Sequence, residues 1–171
     1  MANNHPFMGS ALNAVDAKGR VSLYAPFREL IAVRCSTYAP GDVSVDDKQI
    51  ALTLAAEMDR LIAYDAIGGR ERAQALRDSV ADLPAAERPK ALAKLGRGMG
   101  NATPANFDSA GRFVLPQTLR KLVGITDHVV FWGGIDYFEI WDPARLRHAL
   151  ADEPADRAIV ESMMAEKGIA L

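Results

Sequence analysis

Eighteen residues occur twice in this chain of 171: Asp16-Ala-Lys-Gly-Arg20-Val-Ser-Leu-Tyr-Ala-Pro-Phe-Arg28-Glu-Leu-Ile-Ala-Val33 and Asp108-Ser-Ala-Gly-Arg112-Phe-Val-Leu-Pro-Gln-Thr-Leu-Arg120-Lys-Leu-Val-Gly-Ile125. The copies align without a gap at an offset of 92, and six residues coincide: Asp16/Asp108, Gly19/Gly111, Arg20/Arg112, Leu23/Leu115, Arg28/Arg120 and Leu30/Leu122. A repeat of this kind constrains the fold more tightly than composition does. Each unit is too small to bury its apolar face alone, so the two are expected to pair around a pseudo-two-fold axis.

Within the first copy, Ser10 to Val15 reads as a short half-buried strand, and Lys18-Gly19-Arg20 as a hairpin tip where glycine supplies a positive φ without steric cost. Arg20 to Leu23 is expected to return as the second strand. Pro26 then suits the first turn of a helix, with Phe27, Leu30 and Ile31 on one face. The second copy repeats the order: a strand to Phe107, a turn at Ala110-Gly111, a strand from Arg112 to Leu115, and a helix from Pro116 to its terminator Gly124.

Outside the copies the pattern is plainer. Residues 1 to 9 read as a loose N-terminal extension. Val33 to Val45 and Ile50 to Leu54 read as strands, and a helix is expected from about Ala55 because Met58, Leu61 and Ile62 share a stripe. Gly68 to Gly96 reads as two helices with a kinked turn, followed by the glycine-rich join Gly96 to Pro104. Val129 to Trp132 and Tyr137 to Trp141 form the clearest hairpin, and Asp142-Pro143 caps a helix to about Leu150. A last amphipathic helix carrying Ile159, Val160, Met163 and Met164 is expected to pack on the insert or on a neighbouring subunit.

Composition excludes several function classes. With 49% hydrophobic and 25% charged residues the chain is an ordinary globular one, and its longest apolar run, Val129 to Trp141, is too short and too interrupted to span a bilayer. The first residues lack the cations and apolar core of a secretory signal, so a cytoplasmic location is expected. The single Cys35 excludes an internal disulfide and a thiolate zinc site, and reads as a small apolar residue near a strand. His5, His128 and His148 have no ligand at metal spacing, so no metal and no cofactor are expected. Gly96-Arg-Gly-Met-Gly lacks the Lys-Ser/Thr ending of a phosphate loop and follows a helix, and no other catalytic signature occurs, so an enzyme is not expected. The net charge of −2 argues against coating DNA through bulk positive charge, but leaves room for a local basic surface.

The doubled Asp-x-x-Gly-Arg, with Phe-Arg after the first copy, Leu-Pro-x-x-Leu-Arg-x-x-x-Gly-Ile in the second, and the closing Phe-Glu-Ile-Trp-Asp, resembles the MraZ family of bacterial transcriptional regulators, built from two tandem AbrB-like units. The resemblance implies an α+β fold: a double-split, swapped-hairpin β-barrel formed by two pseudo-two-fold related β-β-α-β-β repeats, with added helices. It places the first repeat at 8–56, a helical insert and join at 57–104, the second repeat at 105–150 and a C-terminal helix at 151–171. It further implies ring-shaped homo-oligomers, nucleoid association, and binding to direct repeats in the promoter of the division and cell-wall gene cluster, usually as a repressor. The partners are thus double-stranded DNA and further copies of the chain, with no membrane and no small-molecule substrate.

Asp16 and Arg20, and Asp108 and Arg112, match the family's Asp-x-x-x-Arg signature, which the resemblance links to DNA binding. On chemical grounds Arg20 at a hairpin tip can reach a guanine edge with two hydrogen bonds, and Lys18 beside it can contact phosphate. The second copy has Ala110 in place of Lys18, so the first tip is expected to be the stronger contact. Arg28 and Arg120, on the short helices, are DNA-contact candidates too, with an ion pair to the Asp of the other repeat as the alternative. Arg34, Lys121, Arg145 and Arg147 read as solvated charges. Tyr24 stands where the second copy has Pro116, and with the acidic balance it motivates a second reading, a protein-interaction module of the same fold without strong DNA binding.

Overall fold

The computed structural model describes residues 5–171. In chain order its elements are β1 (Ser10–Ala14), β2 (Arg20–Ser22), α1 (Ala25–Tyr38), β3 (Gln49–Leu54), β4 (Arg60–Tyr64), α2 (Ala66–Asp78), α3 (Arg88–Gly96), a 3-10 turn (Arg97–Asn101), β5 (Thr103–Asn106), β6 (Arg112–Val114), α4 (Gln117–Leu122), β7 (His128–Gly133), β8 (Phe138–Trp141), α5 (Pro143–Ala149) and α6 (Pro154–Glu166). Two β-β-α-β-β runs, β1 to β4 and β5 to β8, flank the α2–α3 insert. No helix among the described residues is long and apolar enough to cross a membrane.

Six strands form one antiparallel sheet in the order β1-β7-β8-β4-β3-β5, and β2 pairs with β6 in a separate two-stranded ribbon. The order reads the same from either end once each strand is exchanged for its counterpart in the other repeat. In the ribbon Val21 lies opposite Phe113, so each faces the residue at its own repeat position and the pseudo-two-fold axis passes between them. The hydrogen-bonded sheet has β1 and β5 as its edges and is not closed into a barrel by strand pairing.

The expected β1–β2 hairpin is corrected in one respect. The turn closes, with Gly19 N donating to Asp16 O at 2.9 Å and Asp16 N to Arg20 O at 3.0 Å, but the strands then part, β1 to β7 and β2 to β6. The same happens at Asp108 and Arg112. Each N-terminal hairpin therefore pairs wholly with strands other than its own, which carries Val21 and Phe113 into the shared core.

That core is centred on Phe7, Phe27, Phe131 and Phe138; the Phe27 and Phe138 rings meet tilted by 37° with centroids 4.9 Å apart, and Phe7 meets Phe27 edge-on at 5.4 Å. Burying such a side chain is worth about 1.5–3 kcal/mol. Phe7 is only 1% exposed and donates its N–H to Ile135 O at 2.8 Å, so residues 5–9 are fastened to the β7–β8 connection and not loose as expected. Residues 1–4 of the expected extension lie outside the described residues. A second cluster, Leu12, Val130 and Trp141 with Leu146, Leu150, Val160 and Met164, covers another sheet face. Helix α6 thus packs on its own chain's β1 and α5 and not on the insert.

Two further expectations fail on periodicity. Val33 to Tyr38 continues α1 instead of forming a strand, because Ile31, Arg34 and Cys35 recur at helical spacing on the buried side. Residues 55–59 turn, with Met58 at φ 57°, and Leu61 and Ala63 enter a strand with alternate burial. The helical stripe Met58, Leu61, Ile62 is coincidental, since of the three only Leu61 is buried and alternation turns Ile62 to the other face. Cys35 accordingly sits on a helix, where burial pushes its thiol up to about 11.

Candidate nucleic-acid interface

Each duplicated turn is organised by its aspartate. Asp16 Oδ1 accepts hydrogen bonds from the backbone N–H groups of Lys18 and Arg20, both at 2.9 Å, while Oδ2 accepts from Arg20 Nε at 2.6 Å. Asp108 does the same with Ala110 N at 2.9 Å, Arg112 N at 3.0 Å and Arg112 Nε at 3.0 Å. The backbone N–H of the arginine is the largest influence holding either carboxyl below the usual carboxylate range. The bracing is therefore in place above that range and is lost as pH falls through the lowered pKa.

Anchoring Nε leaves the terminal nitrogens of both guanidinium groups without a hydrogen-bond partner among the described residues, and the Arg20 and Arg112 side chains are 57% and 65% exposed. Alternation along the ribbon turns Val21 and Phe113 inward and Arg20, Ser22, Arg112 and Val114 outward. With Arg20 opposite Val114 and Ser22 opposite Arg112, the two arginines stand diagonally across one face. An open groove of about 520 Å³ brings Asp16, Arg20, Asp108 and Arg112 together. Lys18 is exposed on the first turn only. Ser22 and Val114 carry no motif of their own; only the strand register places them between the arginines. Asn13, whose Nδ2 donates to Ser22 O at 2.7 Å, ties β1 to this face and likewise belongs to no motif.

The opposite half holds each turn. Leu115 N donates to Gly19 O at 2.9 Å and Leu23 N to Gly111 O at 2.7 Å. Gly19 and Gly111 have φ of 82° and 79°, and a Cβ there would lie 2.9 Å from the Arg120 guanidinium and 2.6 Å from Arg28 Nη1 respectively. Arg28 and Arg120 therefore lie on the glycine of the other repeat's turn. Neither forms an ion pair among the described residues, so the expected alternative of pairing with the opposite aspartate is not realised, and Arg120 Nε is buried without a partner. Replacing Gly111 with alanine is expected to cost about 1–2 kcal/mol through its left-handed backbone and to displace Arg28. A urea midpoint unchanged from wild type would contradict this.

Tyr24 takes the backbone conformation of its counterpart, φ −51° and ψ 121° against −55° and 133° at Pro116, so the helix start is unaltered. Of the four cations expected to be solvated, Arg34 is a correction: it is fully buried and paired with Asp65 at 2.7 Å. Arg147 pairs with Glu161 at 2.7 Å, and Arg145 lies against Gly124, while Lys121 is exposed. Among the described residues no cluster of three His, Cys, Asp or Glu side chains could hold a metal ion.

A family model described as "MraZ protein, putative antitoxin-like" matches residues 99–162. A protein of Neisseria meningitidis named "Transcriptional regulator MraZ" is 31% identical over 156 residues, covering 89% of this chain and 93% of its own. The chain belongs to the MraZ family. Relatives with the same printed name occur in Gluconacetobacter diazotrophicus, 30% identical over 147 residues with 85% of this chain and 84% of the relative covered, and in Herminiimonas arsenicoxydans, 29% over 146 residues with 85% and 89% covered. MraZ is a family of transcriptional regulators and not of enzymes.

Proposed function

We propose that the β2–β6 ribbon is a DNA-reading surface, and that the chain is a sequence-specific repressor of the division and cell-wall gene cluster which binds promoter direct repeats as a ring-shaped homo-oligomer in the nucleoid. The observation that carries the reading is the pair of exposed guanidinium groups, each braced through Nε by its own aspartate on one two-stranded ribbon. A ribbon of this width fits the major groove, and arginine is the side chain suited to a guanine edge. Arg20 with Lys18 makes the main contact, and Arg112 supports it. Arg28 and Arg120 hold the turns and add positive charge beside them, while Asp16 and Asp108 orient the arginines without touching DNA. In this reading the sheet and the ribbon are the two parts of the swapped-hairpin barrel.

The net charge of −2 does not oppose this, because linked copies on repeated sites gain affinity through effective concentration and not through bulk charge. The test is a titration of fluorescent duplex carrying the promoter repeats of the protein's own genome, at several salt concentrations. Binding should exceed that of scrambled duplex and weaken with salt, log affinity falling by about 0.9 per log unit of salt for each phosphate neutralised. Equal affinity for the scrambled duplex would remove sequence-specific recognition.

A further inference from the structure

The α2–α3 insert lies outside the eighteen-residue duplication, and its surface is unlike the ribbon. Helix α3 contributes no buried residue to its own chain. Beside it lies an open groove of about 470 Å³, floored by Leu83, Ala86 and Ala91 and rimmed by Lys90, Lys94 and Arg97, against one acid, Glu87. None of the three cations has an ion-pair partner among the described residues. An apolar floor with a basic rim calls for an apolar, acidic occupant.

Such a surface exists on this same chain. Asp156, Ile159, Met163 and Glu166 follow one another along α6 at helical spacing, and Ile159 is 47% exposed. Asp156 and Glu166 form no ion pair among the described residues, whereas Glu161 is already held by Arg147 and Arg157. The two surfaces do not meet within one chain. Helix α6 packs beside β1, one edge of the six-stranded sheet, while α3 is carried by α2 and the 3-10 turn, which pack beside β3 next to the other edge.

We propose that the α2–α3 groove of one copy receives the Asp156-Ile159-Met163-Glu166 face of α6 from a second copy. Because the donor and acceptor surfaces lie at opposite ends of the sheet, the contact is head-to-tail and closes into a ring where its rotation permits. Ile159 enters the apolar floor, and Asp156 and Glu166 meet Lys90 and Lys94. The inference rests on the reading of the chain as a self-associating regulator, and names the surfaces that do it.

Sedimentation of the full chain without DNA tests the contact separately from the ribbon. Wild type should sediment as a multiple of 18.5 kDa. Lys90→Glu with Lys94→Glu, or Asp156→Lys with Glu166→Lys, should each reduce it to the single-chain mass, with the helical circular-dichroism signal retained. Combining all four substitutions should restore the multimer, and Ile159→Glu alone should dissociate it. A monomeric wild type, one-sided variants that stay assembled, or dissociation without rescue in the four-fold variant would each overturn the proposal. So would α3 variants that keep wild-type mass but bind duplex more weakly, which would give the groove to DNA.

Discussion

Arg34→Ala is expected to lower stability by about 3–5 kcal/mol, the usual consequence of stranding one member of a buried ion pair. Arg34 and Asp65 are both fully shielded, joined by Nε to Oδ2 at 2.7 Å and Nη2 to Oδ1 at 3.3 Å. The guanidinium also donates to His5 O at 3.0 Å and lies 5.1 Å from the centre of the Phe7 ring. Asp65 Oδ1 in turn accepts from Gly68 N at 2.7 Å and caps α2. One pair thus fastens α1, the start of the insert and the N-terminal segment. Arg34 Nη2 also lies 3.6 Å from Glu71 Oε2, so removing all three charges in Arg34→Met with Asp65→Leu and Glu71→Gln leaves no unpaired ion and should cost less than Arg34→Ala. The measurement is the urea midpoint; a loss below about 1 kcal/mol for Arg34→Ala would place the pair among surface bridges and contradict its burial.

Arg20→Ala is expected to weaken binding to the promoter repeats by about 5–150-fold, corresponding to about 1–3 kcal/mol for one arginine–guanine contact. Arg112→Ala should lose less, because Lys18 has no counterpart beside it, and the double variant should lose more than either. Fluorescence anisotropy with promoter and scrambled duplex separates specificity from charge. Arg20→Lys keeps the charge but cannot make the planar two-bond contact, so it should bind scrambled duplex as wild type does and prefer the promoter less. Full preference in Arg20→Lys would move sequence reading away from this residue. Since Arg20 and Arg112 are exposed and contribute no core contact, folding should be retained in all of these variants.

The duplication makes the symmetry of the fold legible in the amino-acid order itself, because an offset that never slips requires equivalent positions to occupy equivalent places. Val21 facing Phe113 is that arithmetic in three dimensions. Which strand joins which is not legible in the same way: Ser10 to Leu23 has the local signals of a hairpin, and only the requirement to bury Val21 and Phe113 in a common core sends its strands to the other half. The same limit applies to Arg34, whose charge points to water until Asp65, 31 positions away, comes into hydrogen-bond distance. The aspartate–arginine turns are readable because the bonds made by each aspartate side chain lie within five residues. The resting places of Arg28 and Arg120 are not, since each glycine they cover belongs to the other repeat.

The exchange of hairpins also sets a schedule for synthesis. On the ribosome β1 emerges early, but its partner β7 begins at His128, 118 residues after Ser10. At about 5–20 residues per second that is a wait of roughly 6–24 s, during which β1 has no native strand to join, while β2 waits for β6 at Arg112. The N-terminal half of a nascent chain is accordingly a set of open sheet edges, and a transcript cut short after the insert yields a product unable to complete its fold. Duplication here gave one cooperative unit whose parts mature together or not at all.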